Sequence, residues 1–480
     1  MDQSETNYRG ASRAIKSLRS WLPFATSPRT DLPTRERQTL INRSRDAYRN
    51  HLIARAIINR LRTNVIGRGL RLRSKISGPQ FDSADPDTIS ATETLIEGHF
   101  RAWADSPDEC DIEGHQTFSY LQSAVFQSAL LSGDCFVYIK SDPGKIYGTT
   151  LQIIEADRVS TPLNRQNQSN IFDGIEKDAS GRTVAIHVAG SYPQDQAQPS
   201  WTRVPVFDSM GREQILQVFG DRDRPGAPRG APFLAPILES LFRIEQYINA
   251  ELTATAINSM LTLFIERDLQ PGMDLEMPQD IEASNIKLGN GAIIDLAPGE
   301  RINLADPKRP VPGFGDFLTS MVRQIGAALE IPGDELMMHF DSSYSAARAS
   351  MLKAWQAYLV RRESFANHMC SKVYRYWLDN VVSLGIIDLP GYFDDAQRRN
   401  AYGSARWIGP ARGAVDELKE AQAAQLRMNI GVSSLARESA AMSGDDWEVI
   451  HNELVAEQRR KAQDGLQSVD GGSPGVSVGD

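Results

Sequence analysis

The segment that most constrains this chain is residues 344–384. Leu352, Trp355, Leu359, Ala366, Met369, Val373, Tyr376 and Leu378 recur near helical spacing there, interrupted by Arg362. A helix of that length runs roughly 60 Å at 1.5 Å per residue. Taken alone it reads as a core helix of a large α-domain. The chain has 480 residues, too many for one ordinary domain, so two or three structural regions are expected. Its 41% apolar residues are enough for a real core.

Around that helix the pattern alternates between helical and β-type. Residues 40–64 read as one helix through Ile41, Ala47, Leu52, Ala56, Ile57 and Leu61. The stretch from Asn64 through Gly67 and Gly69 to Leu72 reads as a turn entering a strand with alternating basic residues. Further helices are expected at 87–104 and 117–132. From 134 to 219 short β-type runs take over, at 135–139, 151–154, 184–188 and 215–219. The Pro, Gly and Arg of 221–232 predict a loop. A helix is expected over 232–261, with Leu241, Ile244, Ile248 and Leu252 as its stripe; it starts at Pro232 or at Pro236. Residues 262–311 read as a compact insertion with strands at 263–265 and 291–296. Helix resumes near Asp316, a candidate N-cap, and stops before Pro332. A polar loop is expected over 333–343, and helices at 413–429 and 445–462. The first 39 residues and the last 18 lack core-forming pattern and are expected to be mobile. The fold class is therefore α+β, mainly helical.

Charge is distributed unevenly. Residues 1–75 hold 17 Lys/Arg and 5 Asp/Glu, a net of +12, so the remainder carries −9 − 12 = −21. The basic arm meets nucleic acid or an acidic partner, or it is simply a solvated arm. The acidic body argues against tight DNA binding over most of the surface, because phosphate contacts dominate such affinity. Cys110, Cys135 and Cys370 are far apart and odd in number, which fits buried thiols in a reducing cytoplasm. No apolar run reaches 18 residues, so no membrane span is expected, and no secretory signal is visible. The N-x-S/T triplets at Asn42 and Asn167 are then chance matches.

Enzyme motifs are not found. There is no G-x-x-x-x-G-K-[ST], no H-E-x-x-H and no C-x-x-C, and the histidines form no i, i+3 or i, i+4 pair. Asp394-Asp395 and Asp445-Asp446 are adjacent carboxylates, which face different ways on a helix and read as solvated surface. No catalytic residue, metal site or cofactor is expected.

Three segments in order carry a family resemblance. The first is Glu330-Ile331-Pro332-Gly333-Asp334-Glu335-Leu336, leading to Tyr344-Ser345-Ala346-Ala347-Arg348-Ala349-Ser350. The second is Trp407-Ile408-Gly409-Pro410-Ala411-Arg412, running into Val415-Asp416-Glu417-Leu418-Lys419-Glu420. The third is Gly431-Val432-Ser433-Ser434-Leu435 with Gly444-Asp445-Asp446-Trp447. Together they resemble the portal proteins of lambda-type tailed bacteriophages, over most of residues 40–460.

The resemblance implies a portal fold with wing, stem, clip and crown. By position, 1–39 is a mobile basic arm, 40–231 the wing and 232–261 a stem helix. Residues 262–311 are the clip and 312–332 the return stem helix. The tunnel loop is 333–343, the long helix with its wing–crown connection 344–412, the crown 413–462 and the tail 463–480. Met337, Met338, Asp341, Ser342 and Ser343 would line the narrowest part of a DNA channel; the alternative is an ordinary helix–helix connection with Asp341 or Ser343 as N-cap. The implied assembly is a homo-oligomeric ring, of twelve subunits in the virion. Its partners would be double-stranded DNA, terminase, the major capsid or scaffold protein, and a head-completion or tail adaptor protein, with no membrane. The chain would be made in the host bacterial cytoplasm and end at the capsid portal vertex. Other readings are a different head–tail connector or scaffold component, or a phage DNA-processing enzyme.

Overall fold

The stripe expected over 40–64 forms as two helices rather than one. In the computed structural model, α1 spans Thr34–Asn50 and α2 spans Leu52–Val65. His51 between them is extended, at φ −105° and ψ 122°. Its Nδ1 accepts from the Ile53 N–H at 3.2 Å, and its Nε2 lies 3.0 Å from the Leu241 carbonyl. A tertiary hydrogen bond thus holds a break that no proline or glycine signals. The structure describes residues 15–21, 26–81, 85–192, 195, 200–259, 263–267, 300–304, 313–338, 344–413 and 416–464.

After β1 (Arg71–Ser74) come α3 (Pro86–Ala104), α4 (Pro107–Cys110) and α5 (Phe118–Ser132). Helix α3 starts where Asp85 caps the Thr88 N–H and Pro86 occupies the first turn, the residue types that favour a start. Phe100 and Trp103 of α3 meet Phe118 of α5 and Trp377, with ring centroids 5.1–6.4 Å apart. These rings lie in the main core, which also holds Ile57, Ile58 and Leu61 of α2.

The β-rich part contains β2 (Asp134–Ser141), β3 (Thr149–Glu155), β4 (Ile171–Phe172), β5 (Ile175–Lys177), β6 (Thr183–Ala189), β7 (Trp201–Pro205) and β8 (Ile215–Phe219). They form two antiparallel sheets, ordered β3-β2-β8 and β4-β5-β6-β7. Phe136, Ile154 and Ile215 of the first sheet pack with Ile175, Ile186 and Val188 of the second, a separate small core.

Pro236 falls in a 3₁₀ turn, Ala235–Ile237, and α6 (Leu238–Ser259) follows it. On α6, Leu241 and Ile244 are buried but Leu252 is 63% exposed, so the helix leaves the core as it proceeds. Strands β9 (Leu263–Arg267) and β10 (Glu300–Leu304) pair antiparallel, Leu263 opposite Leu304. The strand expected at 291–296 lies outside the described residues. Helix α7 (Phe314–Leu329) returns beside α6, with Tyr247 on Phe314 and Phe317 at 5.5 and 5.0 Å. Its N-cap is Gly313, at φ 100°, and not Asp316, which sits in the first turn.

Residues 333–338 are not wholly loop: α8 (Gly333–Met337) makes a short helix there. The long helix runs as α9 (Tyr344–Phe365), a π-helical turn at Ala366–Cys370, and α10 (Ser371–Ser383). Its expected stripe is only partly buried. Leu352 and Leu359 are 39% and 42% exposed, whereas Arg362, read as an interruption, is 9% exposed. Then follow α11 (Ala396–Tyr402), β11 (Ala405–Ile408), α12 (Glu417–Asn429), α13 (Leu435–Met442) and α14 (Trp447–Gln463). Strand β11 pairs antiparallel with β1, closing the C-terminal half onto the N-terminal one. The class is α+β and mainly helical, as expected. The three cysteines are buried and unpaired, and burial pushes the Cys110 and Cys135 thiols up to about 12.

Candidate channel segment and its anchoring network

Met337 closes α8 half-buried against the main core. Met338 follows at φ 53° and is 62% exposed, its sulfur against the Arg60 guanidinium. Asp341, Ser342 and Ser343 lie outside the described residues, so the structure brings together two of the five channel candidates.

The segment preceding these methionines is held tightly. Glu330 adopts φ 61° at the end of α7, and the Ile331 N–H donates to the Gly326 carbonyl at 2.9 Å. A Cβ at Gly326 would sit 2.3 Å from the Ile331 oxygen, so the corner requires glycine. Glu335 accepts from Asn64 Nδ2 at 2.8 Å and from the Tyr358 hydroxyl at 3.0 Å, tying α8 to α2 and α9. Burial and the Glu335 charge push the Tyr358 hydroxyl above its ordinary range.

Arg362 anchors the next layer. Its Nε donates to the Val65 carbonyl at 3.0 Å and its Nη2 to the Asn64 carbonyl at 2.7 Å, satisfying the C-terminal end of α2. The guanidinium lies 5.1 Å from the Trp355 ring centroid. Burial lowers its pKa to about 10. Gly409 packs on it so closely that a Cβ would fall 2.7 Å from Arg362 Nε.

The third layer is ionic. Arg71 Nη1 donates to Asp445 at 2.7 Å, and Arg73 pairs with Glu97 at 3.2 Å, Asp446 at 3.1 Å and Glu448. Asp445 and Asp446 are thus partnered carboxylates at the start of α14, where Asp446 also caps the Glu448 N–H. The reading of that pair as plain solvated surface is corrected: alternating arginines on β1 face it. Burial pushes Glu97 up to about 7, and the Asp446 and Glu448 charges add to this against the pull of Arg73.

All three resemblance segments therefore touch residues 64–73. Glu335 reaches Asn64, Pro410 lies against Gly67, and Asp445 reaches Arg71. Sequence reasoning missed Arg362 and Glu335 as anchors; the one available signal was an arginine interrupting an apolar stripe.

A fourth network stands apart. Arg229, in the 221–232 loop, is fully buried and makes a two-pronged pair with Asp134 at 2.7 and 2.8 Å. Its remaining N–H groups donate to the Val159, Asp173 and Ala156 carbonyls at 2.9–3.0 Å. Arg37 of α1 pairs with Asp173 at 2.6 Å. Gly133 and Gly230 meet so closely that a Cβ on either would lie 2.1–2.2 Å from the other's oxygen.

A cleft of about 1330 Å³ lies between β8, α7 and α9, with Arg222, Arg323, Lys353 and Arg361 on its walls. Among the described residues no group of three His, Cys, Asp or Glu is placed to hold a metal ion, and no helix is long and apolar enough to cross a membrane.

The family model described as phage portal protein, lambda family, matches residues 15–362. Portal protein B of Escherichia phage lambda is 26% identical over 95% of this chain and 90% of its own length. The portal protein of Escherichia phage N15 is 27% identical over 94% and 89%. A probable portal protein of Halomonas phage phiHAP-1 is 24% identical over 89% and 81%. Among solved structures, the neck of an empty gene transfer agent particle is similar at a TM-score of 0.49 and 12% identity, over 85% of this chain and 93% of that one. The matched span runs from before α1 into α9, through the α6–α7 pair and the Glu330–Gly333 corner, and the chain belongs to the lambda family of phage portal proteins.

Proposed function

We propose that this chain is the portal subunit of a tailed phage, one of twelve copies in a ring at a single capsid vertex. Double-stranded DNA would pass through the ring during packaging and ejection. The observation that carries this reading is the family match over residues 15–362, extended by relatives aligned along most of the chain. Within it, residues 40–231 are the wing, α6 and α7 the stem, 262–311 the clip and 413–462 the crown. Met337, Met338, Asp341, Ser342 and Ser343 face the channel. Partners are terminase first, later a head-completion or tail adaptor protein, and the major capsid or scaffold protein at the vertex. The chain is made in the host cytoplasm and ends in the virion.

The physical logic supports it. DNA must slide, and every retained phosphate contact resists sliding, so a body whose residues 40–480 carry a net charge of −9 − 3 = −12 suits a conduit. Short polar groups and flexible methionines adapt to a moving duplex without fixing it. The role needs no catalytic residue or cofactor, because ATP hydrolysis belongs to the terminase. Negative-stain imaging of the purified chain tests the reading: rings with a central channel are expected, and a monomer that never forms rings, even on the assembling capsid, would overturn it.

A further inference from the structure

Helix α12 buries a charge. Beside the buried Ala424, Glu420 is 9% exposed and accepts from Arg348 of α9 at 3.0 Å and from Arg412 at 2.5 Å. Arg427 grips Glu438 of α13 through two bonds, at 2.9 and 2.6 Å. Large apolar residues stand on its outward side: Leu418, Leu426 and, just past its end, Ile430 are 69%, 60% and 63% exposed. With Gln422 they fall at i, i+4, i+8 and i+12, the ridge along which helices pack.

Single exposed leucines are ordinary, but an exposed ridge is not. Val432, Leu435, Met442, Val449 and Leu454 continue the exposure through α13 and α14. At about 100 Å² each, these eight side chains offer about 800 Å², the share one partner contributes to a standard interface.

The same chain carries a second uncovered apolar face. On α9, Leu352 and Leu359 are 39% and 42% exposed, flanked by Met351 at 37% and Val360 at 69%. The two faces do not cover each other within one chain, because α12 meets α9 through the charged Glu420 side. One contact between unlike faces, repeated around a ring, covers both.

We propose that the outward ridge of α12 is a contact with a second copy of this chain. The proposal rests on the ring reading above and adds which surface closes the ring. The double variant Leu418→Arg with Leu426→Arg tests it. Mass photometry should show rings lost and monomer gained, with the thermal melt of the monomer unchanged. Rings in wild-type yield would overturn the contact.

A labelling measurement covers the case in which that variant folds poorly. Leu426→Cys adds one exposed thiol to a chain whose own three are buried. Maleimide should label it at least tenfold more slowly in the ring than in the dissociated chain, and equal rates would overturn the contact. The two levels separate cleanly. A wild-type chain that never forms rings sinks the ring reading and this contact together, whereas intact rings with freely labelled Leu426→Cys sink the contact alone.

Discussion

Arg229 and Asp134 form a buried two-pronged ion pair, Nε to Oδ2 at 2.7 Å and Nη2 to Oδ1 at 2.8 Å, that ties an irregular loop to the first residue of β2. Burial alone would raise the Asp134 carboxyl, but the Arg229 and Arg37 charges outweigh it and hold the pKa below the ordinary range. Arg229→Ala leaves that carboxylate uncompensated, so it should cost about 3–5 kcal/mol, read as a fall in thermal or urea stability. Because the folded pKa is depressed, this contribution is complete above the unfolded value and is lost as pH falls through the folded one. Wild type should therefore lose stability below about pH 4 more steeply than the variant. Parallel acid-unfolding curves would show that the pair contributes nothing.

Glu97 behaves in the opposite sense. Its folded pKa, pushed up to about 7, lies above that of a free glutamate, so between those values the folded chain holds the extra proton. Stability from this group is present at low pH and lost as pH rises through about 7. In Glu97→Gln the amide oxygen still accepts from Ser74, and that fall should vanish. Denaturation of both chains from pH 5 to 8 measures it; a wild-type-minus-variant difference that does not change with pH would rule the titration out.

Trp355 packs its half-buried ring against Tyr358 and the Arg362 guanidinium. Trp355→Ala should cost about 2–3 kcal/mol, toward the low end for a large-to-small change because the ring is only half-buried. Leu359→Ala, at an exposed position, should leave the monomer melt within about 0.5 kcal/mol. Equal losses in the two variants would contradict the exposure difference.

The channel proposal is tested by Asp341→Lys with Ser342→Lys. Added positive charge should hold phosphate, giving intact rings that fail to package or release DNA, with a salt-dependent defect. Normal packaging with modest destabilisation is the outcome of a helix-capping role instead, and it would remove these residues from the DNA path.

The clip proposal calls for replacing residues 268–299 with a short Gly/Ser linker while keeping β9 and β10. Rings should still form, and terminase should no longer bind in pull-down. Undiminished terminase binding would place the docking surface elsewhere.

The sequence by itself determined much of the local structure and pointed to the family. Helices α3 and α5 were legible to within a residue because caps and apolar period are local properties. Strands β2, β3, β6 and β8 were legible as β-branched and aromatic runs, whereas β4 and β5, of two and three residues, are too short to carry a period. The ordered segments from Glu330 to Trp447 pointed to the family, because motif order survives where overall identity has fallen to about 26%.

Tertiary structure decided what depends on distant partners. The break at His51 follows from a carbonyl 190 positions away, on Leu241. Asp445 and Asp446 looked like solvated surface until β1 brought Arg71 and Arg73 against them. Arg362 looked like a flaw in a stripe until its guanidinium met the open end of α2. A charge is stable in the interior only when the fold supplies its partners, and one-dimensional spacing does not reveal which partners will arrive.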